Sequence, residues 1–216
     1  MTTGRVHSPI QLSRRGLRAD LQPGDFERLR DEWQQHQFMR LPQLFDAELV
    51  QFVQAQARAA EFAINDHTAS GVELCMKADT LVGIVDFLMN APELVRLAEA
   101  VTGCGHIGSF FGRIYRLIPG SDMGHDWHGD TQYGRQLGVS LNLTEGVFEG
   151  GQLELRDIAS GRTISRLHNT GSGDCVIFRL GEDIEHRVLP VTGTVIRQAY
   201  AGWFRRQPEY AAALHA

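Results

Sequence analysis

A chain of 216 residues, 43% hydrophobic and 22% charged, can bury the core of one ordinary domain, and its composition excludes general disorder. The formal net charge of −5 argues against a nucleic-acid or anionic-membrane surface. No apolar run reaches the length of a membrane span, and residues 1–20 lack the apolar stretch and cleavage pattern of a secretory signal. Cys75, Cys104 and Cys175 are odd in number and far apart, so neither a disulfide framework nor a CxxC metal site is expected; a reducing cytoplasm suits them.

Residues 1–20 read as loosely ordered. From Pro23 to Gln37, Phe26, Leu29 and Trp33 recur at helical spacing. Residues 38–41 read as a short strand closed by Pro42. Asp46 is placed to cap a helix running to about Phe62. A strand is expected over 72–77, then helices over 81–89 and 92–101, with Pro92 in a first turn and Gly103 as the stop. Glycine then changes the character of the chain: five of 23 lie in residues 1–102 and 18 in 103–216. The second half should therefore be short strands between turns, near 108–118, 125–131, 136–144, 151–156, 162–168, 174–179, 185–190 and 194–204. Eight such strands indicate a mainly β fold, a barrel or two-sheet jelly roll, braced by an N-terminal α layer. The expected divisions are 1–20, a helical support layer 21–105, the β core 106–206 and a tail 207–216.

The chemistry concentrates in Gly124-His125-Asp126-Trp127-His128-Gly129-Asp130. In a strand, residues i and i+2 share a face, so His128 and Asp130 can meet one metal ion. His125 has the opposite parity and is expected in solvent; Asp126 has the right parity but precedes the pair. A third ligand must come from elsewhere, and His186, opening a later strand, is the best candidate. Two imidazoles and one carboxylate make the facial triad of non-haem Fe(II) oxygenases, which leaves three positions for a bidentate 2-oxo acid and O2. Because Asp130 is retained, no ligand position is vacant for chloride, which favours hydroxylation over halogenation. A lone His-x-Asp is common by chance, and its weight comes from what surrounds it. Arg197 shares a strand face with Ala199, Ala201 and Trp203. If that face is interior, the buried cation needs an anion, and the distal carboxylate of 2-oxoglutarate would match it. On the outer face it would pair with an acidic side chain. The small Ala199 and Ala201 leave room for a ligand and favour the interior.

Residues of about 108–206 resemble the prolyl-hydroxylase-like branch of the Fe(II)/2-oxoglutarate dioxygenases. The matching string runs Tyr115-Arg116-Leu117-Ile118-Pro119-Gly120, His128-Gly129-Asp130, Ser140-Leu141-Asn142, Gly150-Gly151-Gln152-Leu153, Gly173-Asp174, Val176-Ile177-Phe178, His186-Arg187-Val188-Leu189-Pro190-Val191, then Arg197 and Trp203. The order and spacing carry the likeness. It implies a double-stranded β-helix with Fe(II) at His128, Asp130 and His186 and 2-oxoglutarate at Arg197. The implied reaction consumes O2, releases succinate and CO2, and hydroxylates a small molecule or a peptidyl residue. Demethylation, desaturation or cyclisation would use the same residues. Two departures stand out. Ser140 occupies a position where the family often has a co-substrate-binding tyrosine, and Ile118 stands before Pro119 where another tyrosine is frequent. Ser140, Tyr115 and Arg116 are then the candidates for further co-substrate contacts. Trp127, Tyr133, Arg135 and Trp203 are candidates for the substrate mouth. The rivals are a non-enzymatic binding barrel and a cupin-type metalloenzyme without 2-oxoglutarate, though cupins usually place His-x-His on the strand.

Overall fold

In the computed structural model, residues 8–67, 70–77 and 80–207 are described. The glycine-rich half folds as expected into antiparallel strands: β6 (Ser109–Leu117), β7 (Gly124–His128), β8 (Arg135–Asn142), β9 (Glu149–Gly150), β10 (Leu153–Asp157), β11 (Thr163–Leu167), β12 (Cys175–Arg179), β13 (Ile184–Val188), β14 (Val191–Thr192) and β15 (Arg197–Arg205). The N-terminal half adds β1 (Ile10–Ser13), β2 (Gly16–Ala19), β3 (Phe38–Leu41), β4 (Phe62–Asp66) and β5 (Gly71–Met76). Its helices are α1 (Asp25–His36), α2 (Ala47–Ala59), α3 (Thr80–Met89) and α4 (Pro92–Thr102).

The main sheet runs β11-β10-β13-β7-β5-β6-β15-β8-β12-β3, with β4 on β5. It curls on itself into a jelly roll. Tyr115, Leu117 and Ala199 from one stretch pack in one cluster with Leu153, Leu155 and Val188 from the other. The central strand β15 pairs along its length with β6, from Arg197 opposite Leu117 to Arg205 opposite Ser109. Alternation then decides the two faces. Tyr115 and Ala199 turn inward, whereas Ile114, Tyr200 and Phe204 join Leu29, Val53, Val85 and Leu94 of the helices in the larger core.

The helix ends follow their sequence signals. The Asp46 carboxylate accepts from Leu49 N at 2.7 Å. Gly103 ends α4 at φ 67°, its N–H bonded to Glu99 O.

Several expectations are corrected. Residues 10–19, expected to be loose, form a hairpin turned at Arg14 and Arg15 that buries Ile10 and Leu12. Ile10 and Leu12 alternate with polar residues, a period-2 signal overlooked among the basic residues. Residues 1–7 and 208–216 lie outside the described residues. The helix expected to reach Phe62 ends at Ala59, and β4 begins at Phe62 against β5. The strand expected over 125–131 ends at His128, so Asp130 follows it rather than sharing it.

The sheet closes where β5 meets β7 through Gly71–His125 and Val72–Gly124. Gly71 has φ 142°, and a Cβ there would sit 1.9 Å from Gly124 O. Gly71→Ala is therefore expected to lose about 3 kcal/mol, from strain and backbone clash together. A urea titration checks this by a lowered midpoint at unchanged m.

Candidate metal centre

His128 ends β7 directly opposite His186 on β13. The two rings lie 4.2 Å apart between centroids. Asp130 reaches the same point from the turn beyond β7. Its Oδ2 is 3.8 Å from His128 Nε2 and 3.7 Å from His186 Nε2. One ligand atom from each of the three lies within 4.8 Å of the others, as a shared metal ion requires.

The surrounding groups fix each donor. His128 Nδ1–H donates to Asp126 O at 2.6 Å, which leaves Nε2 with its lone pair toward the site. Asp130 Oδ1 accepts from Arg135 Nη1 and Oδ2 from Trp203 Nε1, each at 2.8 Å. Arg135 stacks on the Trp203 indole, its Cζ 3.6 Å from the ring centroid. Burial alone would raise the Asp130 carboxyl, but His186, His128 and Arg135 outweigh it and hold the group below its usual range. Burial, then His128, pushes His186 below the usual imidazole range and keeps it neutral, as a ligand must be.

The three donors open onto a small pocket whose walls include Tyr115, Ser140, Leu153 and Trp203. Arg197 is 5% exposed. It donates through Nη1 to the Tyr115 hydroxyl and through Nη2 to Ser140 Oγ at 3.3 Å. Both partners also line the metal cavity. No ion-pair partner of Arg197 is found among the described residues, so a buried cation is held there by neutral groups alone. Gly151 makes this placement possible: at φ 61°, a Cβ would come within 2.8 Å of Arg197 Cδ.

The remaining sequence candidates separate. Trp203 and Arg135, expected at the substrate mouth, instead grip Asp130, though Trp203 also lines the cavity. Arg116 has the parity opposite to Tyr115 and turns away from the cavity. It bonds Gln198 Oε1 at 2.8 Å and Ala57 O at 3.0 Å, with Phe62 beneath its guanidinium. Trp127 also faces away, with the Arg156 and Arg187 guanidiniums 4.3 and 4.5 Å from its ring. Tyr133 is 79% exposed in a left-handed turn at φ 59°.

Glu73 and Arg113 carry no sequence signal that singles them out, and His125 is placed differently from its expectation. His125 was expected in solvent but is buried in the cavity wall, because β7 carries a bulge: His128 and His125, three residues apart, face His186 and Val188, two apart. The extra residue turns His125 to the side of His128. Its Nε2 lies 3.1 Å from Glu73 Oε2, and His67 Nε2 lies 3.2 Å from Glu73 Oε1. These three could themselves hold an ion. The Arg113 guanidinium already supplies the positive charge, however, bonding both Glu73 oxygens through Nε and Nη2. Burial would raise the fully buried Glu73 carboxyl; His125, His67 and Arg113 reverse this and hold it far below the ordinary range.

The jelly roll brings two imidazoles and one carboxylate together on one cavity wall, a donor set that could hold a single metal ion. Residues 113–205 match the family model described as the 2OG-Fe(II) oxygenase superfamily. Enzymes of that family use Fe(II), 2-oxoglutarate and O2. Solved structures share the fold. A Pseudomonas putida prolyl-4-hydroxylase is 23% identical, with 84% of this chain and 99% of that one covered at a TM-score of 0.64. A Trichoplax adhaerens prolyl hydroxylase, in complex with a hypoxia inducible factor oxygen degradation domain peptide fragment, is 16% identical, covering 88% and 92% at 0.65. The epimerase SnoN, in complex with Fe3+, alpha ketoglutarate and nogalamycin RO, is 18% identical, covering 89% and 90% at 0.63. No curated protein matches the chain by sequence. Among the described residues no helix is long and apolar enough to cross a membrane.

Proposed function

We propose that His128, Asp130 and His186 hold Fe(II), that Arg197 with Tyr115 and Ser140 holds the distal carboxylate of 2-oxoglutarate, and that the enzyme hydroxylates a small molecule or peptidyl residue. The observation that carries this is Arg197. A buried guanidinium without an anion is costly, and its hydrogen-bond partners line the cavity that the three metal donors share. A dicarboxylate reaching from the metal to Arg197 resolves that cost.

Bound Fe(II) would supply the oxidising chemistry, with O2 reduced at the expense of 2-oxoglutarate decarboxylation. The chain's own residues do the rest. Arg135 and Trp203 hold the Asp130 carboxylate so that Oδ2 faces the two imidazoles. Asp126 O fixes the His128 tautomer. Leu153, Phe178 and Val188 exclude water from the cavity walls. The neighbours of known fold hold a peptide fragment in one case and nogalamycin RO in another, so both classes stay in view. The three free cysteines favour the cytoplasm.

The test is succinate formation from 2-oxoglutarate with Fe(II) in a substrate screen. Arg197→Met is expected to raise the 2-oxoglutarate KM by about 10–100-fold, the loss of a charged, partly bidentate contact. An enzyme that bound iron but consumed no 2-oxoglutarate would favour the cupin or binding-barrel reading. Trp203→Phe removes one hydrogen bond from Asp130 and should weaken Mn(II) binding about 10–100-fold with the fold intact.

A further inference from the structure

Arg113 is the one charged side chain lining the cavity that the proposed function does not use. It lies on β6 opposite Ala201, two residues from Tyr115 and on the same face. Its Cζ is 5.4 Å from the Tyr115 ring centroid and 5.3 Å from that of Trp203. The Arg197 Cζ is also 5.4 Å from the Tyr115 ring, from the other direction along the sheet. Two cations thus bracket one aromatic ring. Glu73 engages Nε and Nη2 of Arg113, but Nη1 is buried with no hydrogen-bond partner. An orphaned guanidinium N–H in a cavity wall costs stability unless a ligand accepts from it.

The charges point the same way. Arg113 offsets Glu73, and Arg135 offsets Asp130. Fe(II) and 2-oxoglutarate, with two charges each, offset one another. Counting the imidazoles as neutral, the charge of Arg197 remains in surplus when both are bound. A half-buried cavity with one cationic charge over and an unpartnered Arg113 N–H in its wall suits a singly charged anion.

We propose that the substrate carries a carboxylate and that Arg113 Nη1 binds it, so that Arg113 determines specificity for small organic acids or acid-bearing residues. This rests on the assignment of iron and 2-oxoglutarate to the same cavity. The single surplus charge favours a carboxylate over a phosphate dianion. Separate anchors for substrate and co-substrate, on either side of Tyr115, also keep the two acids from exchanging places.

The test uses Mn(II)-loaded protein saturated with 2-oxoglutarate. The probes are benzoate, pentanoate and N-acetyl-L-proline, each beside its primary amide, read by paramagnetic relaxation of the probe protons. In the wild type, at least one acid should relax and bind about tenfold or more tightly than its amide. Arg113→Met/Glu73→Gln removes both charges, leaves no buried ion orphaned, and should abolish that preference while leaving the 2-oxoglutarate Kd within about twofold. Arg113→Lys should restore part of the preference. Equal binding of acids and amides, no relaxed acid, or a preference that survives the double variant would each overturn the proposal. A loss of 2-oxoglutarate affinity in the double variant would overturn it by making Arg113 a co-substrate anchor. Failure of the wild type to bind Mn(II) or 2-oxoglutarate would instead bring down the site assignment itself.

Discussion

Asp130→Ala is expected to reduce succinate formation to the background of Fe(II) and buffer. Asp130 Oδ2 is the only carboxylate oxygen among the described residues facing both His128 Nε2 and His186 Nε2. Without it, two neutral imidazoles must hold the metal alone, and the loss should exceed the ~10–100-fold that follows removal of an outer partner. The substitution also strips Arg135 and Trp203 of their acceptor, so part of the effect is positional. Asp130→Asn separates the two. It keeps the shape and an acceptor for one donor but removes the charge. Metal content per chain should fall in both variants, while the thermal midpoint falls more in Ala than in Asn.

Glu73→Ala should carry the largest stability cost, about 3–5 kcal/mol, the range for breaking a buried ion pair by removing one partner. Glu73 is fully buried and answers Arg113, His125 and His67 together. The pH dependence follows from the sign of the shift. The folded carboxyl is depressed, so its contribution is fully present above the unfolded value of about 4.3 and is lost progressively from there as pH falls toward and through the folded one. Wild-type stability relative to Glu73→Gln should therefore grow from about pH 3 to about pH 5 and level off above it. His186 acts in the same direction. Its folded pKa is depressed, so below about 6.5 the unfolded chain takes up the proton first and the metal-free protein weakens with acidification. Urea titrations across this range check both. A flat difference between wild type and Glu73→Gln would mean that Glu73 is not ionised when folded.

Much of this was legible in the sequence, for identifiable reasons. The strands between glycine turns, the helices capped at Asp46 and Gly103, and the meeting of residues 128, 130 and 186 all follow from local pattern plus one topology. The burial of Arg197 on the inner face was legible because that face could be read by alternation and Ala199 and Ala201 are small. The same alternation should have excluded Arg116, which has the parity opposite to Tyr115, and would have found Arg113, which shares it. His125 could not be read. Its burial depends on a bulge in β7, and a one-residue slip in register reverses every side chain beyond it. Glu73 was hidden for a different reason: its partners come from β6 and β7, and a strand carrying one acid between Val72 and Leu74 does not announce them. Trp127 was misassigned because an aromatic beside a ligand pair suggests a lining role, whereas its partners Arg156 and Arg187 lie on other strands.

Two clusters each join a pair of histidines to one carboxylate, one at His128, Asp130 and His186 and the other at His67, Glu73 and His125, and they offer the most direct comparison. Mn(II) binding followed by electron paramagnetic resonance, in wild type, His186→Ala and His125→Ala, distinguishes them. One ion per chain, lost in His186→Ala and kept in His125→Ala, is the predicted result. An ion that survives His186→Ala but disappears when His125 is replaced would put the metal at Glu73 and contradict the assignment.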